Sequence, residues 1–207
     1  MADAQRSSRD GPEVRRGQIV DEAIRAIGQR GYHGFTLQEL AQRCGLTNGG
    51  VLYHFGSKER LLIAVIEEHD RREGEIIPAS IELPPRGAPH RHVSLSTALQ
   101  VFRIIVQRAA MQPELVRLYA ILQAEALDPA HPASGYFLRR EAMVLDVFTK
   151  LLQPHVAEPR SIARQIHALM DGLSLQWLRE NKAFDMTTEW DRAMARLLPV
   201  RNPRRQR

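Results

Sequence analysis

The sequence predicts an all-α protein, and three observations support this fold class. Apolar residues recur at intervals of three and four along most of the chain, which is the spacing of amphipathic helices. No segment alternates apolar and polar residues as a half-buried strand does. Proline and glycine interrupt the periodic segments and mark where helices end. We therefore expect about nine helices, arranged as a small N-terminal three-helix domain followed by a larger helical domain.

Composition narrows the class of protein further. The 207 residues are enough for one or two domains with a buried core. No apolar run approaches the length of a membrane span and no signal peptide is visible, so we expect a cytoplasmic protein that does not enter membranes. A single cysteine excludes an internal disulfide. Much of the net charge of +5 comes from the C-terminal tail, which holds Arg201, Arg204, Arg205 and Arg207.

Proline and glycine also predict the boundaries of the parts. We expect a disordered arm over residues 1–13, a three-helix domain over 14–58, a connecting helix over 57–75, a larger helical domain over 76–198 and a basic tail over 199–207. The segment from Gly74 to His92 contains four prolines and is predicted to be a long loop.

Residues 36–58 are the most informative segment, because they indicate two short helices joined by a tight turn. Thr36 and Glu39 form a capping box that begins the first helix. Gly45 ends that helix, since glycine readily takes the left-handed conformation found at helix C-termini, and Thr47 is placed to cap the second helix. This spacing predicts a helix-turn-helix, whose second helix enters the major groove of DNA. Such helix pairs also occur in other all-α proteins, but apolar helices on both sides favour the DNA-binding interpretation.

The N-terminal part of the second helix is the part that meets base edges in a helix-turn-helix. Its predicted exposed surface consists of Thr47, Asn48, Gly49, Leu52 and Tyr53. Asn48 suits a bidentate contact with adenine, which is worth about 1–3 kcal/mol of discrimination. Gly49 either lets the backbone approach DNA closely or is a glycine at a helix start, where it does little harm.

The run from Arg15 to Leu62 closely resembles the N-terminal domain of the TetR family of bacterial transcriptional repressors. The shared features come in the same order: a basic start, G-Y-x-x-x-T, E-L-A, G-L-T and Y-H-F-x-S-K-E-x-L. The resemblance implies that Gln38 reaches a base, and that phosphates are bound by Thr36, Tyr53, His54 and Lys58. A helix-capping role is the alternative for His54. The second helix departs from the family in carrying no arginine or lysine.

The resemblance further implies a homodimer that binds a palindromic operator in double-stranded DNA, because two recognition helices one turn apart read a palindrome. The best C-terminal match is the run IHALMDGLSLQWL. The predicted dimer interface comprises Ile166, Leu169, Gly172, Leu173, Trp177, Met194 and Leu197. The alternative is that these residues form an ordinary intramolecular core.

A ligand-binding role for the larger domain is the last implication of the resemblance. An unknown small hydrophobic effector would release the repressor from DNA by shifting its conformation. The predicted cavity lining comprises Phe102, Val106, Leu118, Leu122, Glu125, Phe137 and Met170. Each is equally consistent with packed core. A regulator that responds to a protein partner, or acts without ligand, is the alternative, and activation of transcription stays open beside repression.

An enzyme is the competing class, and the sequence does not favour it. We find no G-x-S-x-G, no P-loop and no H-E-x-x-H motif. The histidines lack the spacing of metal ligands, so neither a metal nor a cofactor is expected. Cys44 falls on the apolar side of the helix-turn-helix and is predicted to pack there.

Overall fold

The computed structural model describes residues 11–79 and 93–198, and all regular secondary structure in these ranges is helical. The helices are α1 (Pro12–Gly34), α2 (Leu37–Arg43), α3 (Asn48–Phe55), α4 (Lys58–Ala79), α5 (Leu95–Met111), α6 (Pro113–Glu125), α7 (Ser134–Leu152), α8 (Pro159–Arg179) and α9 (Met186–Leu197). The all-α prediction is therefore confirmed. Among these helices, none combines the length and apolar character needed to cross a membrane.

The connecting helix is longer than predicted. The loop was expected to begin at Gly74, but α4 continues through this residue to Ala79, so that boundary is wrong. One glycine inside a helix costs only about 1 kcal/mol, and ion pairs of Arg71 with Glu68 and Glu75 support the turns around it. Residues 80–92, which hold the rest of the predicted loop, lie outside the described residues. So do residues 1–10 of the predicted arm and residues 199–207 of the predicted tail.

The chain folds into two compact units, and the described part of the first contains residues 11–76 and 114–140. This grouping cuts across the predicted boundary at residue 76, because α6 and the first turns of α7 join α1–α4. Leu118 and Leu122 of α6 are fully buried in one hydrophobic cluster with side chains of the N-terminal helices. That cluster includes Ile19, Val20, Ala23, Ile27, Phe35, Leu40, Val51, Phe55, Leu61, Leu62, Val65 and Ile66.

Gly28 shows how closely α6 approaches α1. A Cβ atom at this position would lie 2.6 Å from the carbonyl oxygen of Glu114, which is the second residue of α6. Contact at that distance with a backbone atom requires a shift of one helix, so only glycine fits the observed packing. The sequence places Gly28 within a helix without revealing this neighbour.

A polar cluster ties α4 to α6 and α7 within the first unit. The carboxylate of Asp70 accepts hydrogen bonds from the hydroxyls of Tyr119, at 2.7 Å, and Tyr136. The Arg140 Nε donates to the same carboxylate at 2.8 Å, and its guanidinium lies 4.8 Å from the centre of the Tyr119 ring. Burial raises the pKa of both tyrosines, and the neighbouring carboxylate acts in the same direction. Both phenols therefore stay protonated and act as donors.

The second unit has its own core, built from α5, α8, α9 and the remainder of α7. Phe102 and Phe148 pack edge to face with ring centres 4.8 Å apart. Trp190 of α9 is almost fully buried in the same cluster. At the surface, the Arg103 Nε lies 3.0 Å from each carboxylate oxygen of Asp191 and so links α5 to α9.

Candidate DNA-binding site

The helix-turn-helix consists of α2, α3 and the turn between them, and the predicted N-caps at Thr36 and Thr47 are confirmed, while the Glu39 carboxylate of the predicted capping box pairs with Arg30 and Arg43. The hydroxyl oxygen of Thr36 accepts a hydrogen bond from the Glu39 backbone N–H at 3.2 Å. The hydroxyl oxygen of Thr47 accepts from the Gly50 N–H at 3.1 Å. Gly45 has a φ of +65°, and the Leu46 N–H closes the end of α2 by donating to the Ala41 carbonyl at 2.8 Å.

Apolar side chains hold the motif against α1 and α4. Leu40 and Ala41 of α2 are buried, as are Val51 and Phe55 of α3. Cys44 is half-buried against the same cluster, and burial raises the pKa of its thiol. This agrees with the predicted packing role, since a protonated buried thiol is unreactive. No cluster of three or more potential metal ligands occurs within the described ranges.

One face of α3 is left to solvent. Thr47, Asn48 and Gly49 are exposed, Leu52 is half-buried, and Gln38 of α2 is exposed as well. Tyr53 is 87% exposed, so its ring contributes almost nothing to the protein's own core. A Cβ at Gly49 would meet only the Thr47 hydroxyl, at 3.8 Å, so internal packing does not require glycine there.

His54 lies between the exposed face and the core. Its imidazole is half-buried and packs edge to face with the Tyr53 ring, with centres 5.5 Å apart. Its backbone carbonyl accepts a hydrogen bond from the Arg16 Nη1 at 3.0 Å. The Arg16 guanidinium also lies 4.4 Å from the centre of the Phe55 ring. Arg16 therefore fastens the end of α3 to α1.

Lys58 also contacts the protein itself. Its Nζ donates to the Phe35 carbonyl at 2.9 Å and lies 4.7 Å from the centre of the Phe35 ring. Burial lowers the pKa of this ammonium. In this structure the side chain joins the end of α1 to the start of α4. The phosphate contact assigned to it by resemblance stays a prediction.

An ion-pair network fixes α2 on α1. Arg43 bonds the Glu22 carboxylate at 3.1 Å and the Glu39 carboxylate at 3.0 Å. Arg25 also pairs with Glu22, and Arg30 pairs with Glu39 at 2.9 Å. Burial alone would raise the pKa of Glu22, but its bonds to the two arginines outweigh burial and lower it. Three arginines beside the helix-turn-helix are thus paired with carboxylates.

The predicted effector residues lie in two separate hydrophobic clusters. Phe102 and Val106 are buried in the core of the second unit, and Met170 packs against it. Leu118 and Leu122 are buried in the core of the first unit, with Phe137 packed against it. Glu125 lies in the first unit, where its Oε2 is 3.7 Å from the His131 Nε2. The structure does not bring these residues together around one cluster, and the effector site stays a prediction.

The predicted dimer residues also divide into two groups. Ile166, Trp177 and Met194 are buried in the core of their own unit, which corresponds to the intramolecular alternative. They cannot offer much area to a second copy, because that area is already covered. Leu169, Leu173 and Leu197 are half-buried against the same core.

Gly172 faces away from that core. Elsewhere in the described protein, no atom lies within 4 Å of the position that its Cβ would take. Ala168, four residues before Gly172 on α8, is exposed, and Leu175, three residues after it, is 38% exposed. Sequence reasoning missed these two neighbours, although their spacing on a helix places them on the face of Gly172. We call Ala168, Gly172 and Leu175 the outer α8 face.

Comparison with known proteins shows similarity to one family in the N-terminal part of the chain. Residues 19–65 match the family described as bacterial regulatory proteins, tetR family. The transcriptional regulator BetI of Serratia proteamaculans is 26% identical over 166 residues, which cover 80% of each chain. The transcriptional repressor AcnR of Corynebacterium diphtheriae is 23% identical over 144 residues, which cover 68% of this chain and 76% of AcnR.

Solved structures show the same fold. The transcriptional regulator FadR of Bacillus subtilis, in complex with stearoyl-CoA, superposes with a TM-score of 0.65 at 17% identity. The alignment covers 88% of this chain and 97% of FadR. The similarity therefore extends well beyond the helix-turn-helix.

Proposed function

Because the chain belongs to the TetR family of bacterial regulatory proteins, we propose that it is a repressor that a small molecule releases from a palindromic operator. At the level of the family, it is a DNA-binding transcriptional regulator and not an enzyme. The observation that carries the proposal is the exposed face of α3, where Asn48 and Tyr53 point away from the protein's core.

The chemistry of this face suits DNA. The Asn48 amide presents a donor and an acceptor together, which matches the N6 and N7 of adenine. Thr47 and Tyr53 carry hydroxyl donors for phosphate oxygens. Among the described residues the His54 imidazole has no hydrogen-bond partner, so it is available as a further phosphate donor. Gln38 and Thr36 are exposed at the start of α2 and complete the proposed DNA-binding surface.

The outer α8 face supports a homodimer. Gly172 and Ala168 lack bulk, so a second helix can approach α8 closely there, and Leu175 adds apolar area. Leu169 and Leu173 of α8 and Leu197 of α9 are half-buried. We propose that they contribute at the edge of the dimer interface. A dimer would present two α3 helices to two half-sites, which is what reading a palindrome requires.

The proposed effector is a small hydrophobic molecule, such as an aromatic or fatty acyl compound. The predicted lining residues other than Glu125 are apolar, which supports this class. The FadR structure was solved with an acyl-CoA, which shows that a protein of this fold binds such a molecule. Response to a protein partner, or action without ligand, is the alternative. Stabilisation of the purified protein against heat by long-chain acyl compounds would separate the two.

The double variant Asn48→Ala with Tyr53→Phe tests the proposed DNA-binding surface. We expect a loss of about 2–4 kcal/mol for each half-site, the sum of one bidentate base contact and one hydrogen bond to phosphate, and so about 4–8 kcal/mol for a dimer on a two-half-site duplex. Both residues are exposed, so the thermal unfolding midpoint should stay unchanged. Fluorescence anisotropy with labelled duplex measures the affinity.

Gln153→Ala is the matched control, because it removes an exposed amide at the end of the second unit's α7 segment. It should leave DNA affinity unchanged. Equal DNA affinities for the double variant, the control and the wild-type protein would show that α3 does not make the proposed contacts with DNA.

A further inference from the structure

Affinity for DNA depends strongly on cations, because lysine and arginine release counterions from phosphates when they bind. α3 contains no lysine or arginine. The cations that bind phosphate must therefore come from neighbouring segments, and the structure shows which of them already have partners.

Most cations around the helix-turn-helix are engaged within the protein. The guanidinium groups of Arg25, Arg30 and Arg43 pair with Glu22 or Glu39. Arg16 and Lys58 each donate to a backbone carbonyl and lie over an aromatic ring. An arginine already matched by a carboxylate adds little net attraction for phosphate, and releasing it costs the existing bonds.

Arg60 differs from these residues. It lies in the first turn of α4, is exposed, and within residues 11–79 and 93–198 its guanidinium has no carboxylate or carbonyl partner. Its side chain folds back over Gly56, with Nη1 3.3 Å and Cδ 3.5 Å from the position of a Cβ there. Gly56 has a φ of +81° and directly follows α3. The charge of Arg60 is therefore held beside the C-terminal end of the recognition helix.

We infer that Arg60 binds a backbone phosphate of the operator at the end of α3 and supplies the charge that α3 lacks. This inference rests on the proposed function. A guanidinium presents parallel N–H donors that match two phosphate oxygens, so the contact is bidentate. It replaces the contact assigned to Lys58 by resemblance, because the Lys58 ammonium is already bound to Phe35.

The test is the salt dependence of binding to a preferred duplex. Each dimer carries two copies of Arg60, so replacing Arg60→Gln should reduce the slope of log affinity against log salt by about 1.8, which is about 0.9 for each phosphate contact. Affinity at 0.1 M salt should then fall by a factor on the order of 10². Arg60→Lys keeps the charge but loses the parallel N–H donors of the guanidinium. The slope should therefore be retained, and affinity should fall less than in Arg60→Gln. Lys58→Gln should lower the thermal unfolding midpoint and leave the slope close to that of the wild-type protein.

Arg117→Gln is the matched control, because Arg117 is another exposed arginine of the first unit, on α6. It should leave the slope unchanged. An unchanged slope for Arg60→Gln, while the wild-type protein binds, would overturn the inference and leave the proposed function standing. A slope reduced as much by Lys58→Gln as by Arg60→Gln would overturn the reassignment. Failure of the wild-type protein to bind any duplex at low salt would overturn both proposals.

Discussion

Replacing Asp70 with alanine should destabilise the protein by about 3 kcal/mol, the lower end of the range for removing one partner of a buried ion pair. Among the described residues, the variant removes the carboxylate that Arg140 binds, and it leaves the Tyr119 and Tyr136 hydroxyls only the Ile66 carbonyl as an acceptor, at 3.5 Å and 3.4 Å. The lower end applies because the two side chains are not fully buried: Asp70 is 20% exposed and Arg140 is 22% exposed. Urea unfolding followed by circular dichroism measures the loss.

Two further variants separate charge from packing in this cluster. Asp70→Asn keeps one acceptor oxygen and removes the charge, so it should cost less than Asp70→Ala. Adding Arg140→Met to Asp70→Ala removes the orphaned charge and should recover part of the stability. The account of the cluster is wrong if Asp70→Ala costs under about 1 kcal/mol, the worth of one ordinary hydrogen bond, or if the double variant is less stable than the single one.

Replacing Gly172 with glutamine should convert the proposed dimer into a monomer. The substitution adds a bulky neutral side chain to the outer α8 face, where two helices must approach closely. Its Cβ would meet no atom within 4 Å in the described part of the protomer. Loss of the linked second half-site should weaken binding to a two-half-site duplex by about 10²–10⁴-fold. Sedimentation velocity gives the oligomeric state, and anisotropy gives the affinity.

Gly172→Ala is the control for this prediction. Alanine adds only one methyl group and favours the helix by about 1 kcal/mol relative to glycine, so the dimer and its DNA affinity should persist. A glutamine variant that remains dimeric at micromolar concentration, with wild-type affinity for the duplex, would exclude the outer α8 face as the interface.

The parts of the site that the sequence predicts are those set by local chemistry. A hydroxyl at Thr36 or Thr47 caps a helix through an N–H only three residues away, and Gly45 needs no distant partner to turn the chain. The apolar stripes likewise point toward the core wherever helices pack. For that reason the helix-turn-helix and its exposed face follow from the residue order.

The remaining features depend on neighbours that are distant in sequence. The partner of Gly28 is a carbonyl in α6, and that of Asp70 includes Arg140 in α7. The burial of Ile166 and Trp177 within their own unit is set by the helices packed on α8, so spacing alone did not distinguish it from a dimer contact. Lys58 illustrates the same limit, because only the folded chain brings its ammonium to the Phe35 carbonyl.

The end of α4 was predicted wrongly for an energetic reason. Glycine and proline were expected to end the helix at Gly74. One glycine costs only about 1 kcal/mol, and the exposed ion pairs of Arg71 with Glu68 and Glu75, worth about 0.2–0.5 kcal/mol each, offset part of that cost. Along a long helix, the cost of residues that disfavour helix competes with the stabilisation from surface ion pairs. The net free energy is too small to predict from composition.

The most direct test of the central claim is selection of bound duplexes from a random pool with the full-length protein, followed by salt titration of the most enriched sequence. The account predicts a palindromic consensus whose two halves lie about one helical turn apart. Affinity for this sequence should fall as the salt concentration rises. Asn48→Ala should weaken the preference for one base at one position in each half of the palindrome. Enrichment of no sequence at low salt, by a correctly folded dimer, would contradict the claim that this protein is a sequence-specific repressor.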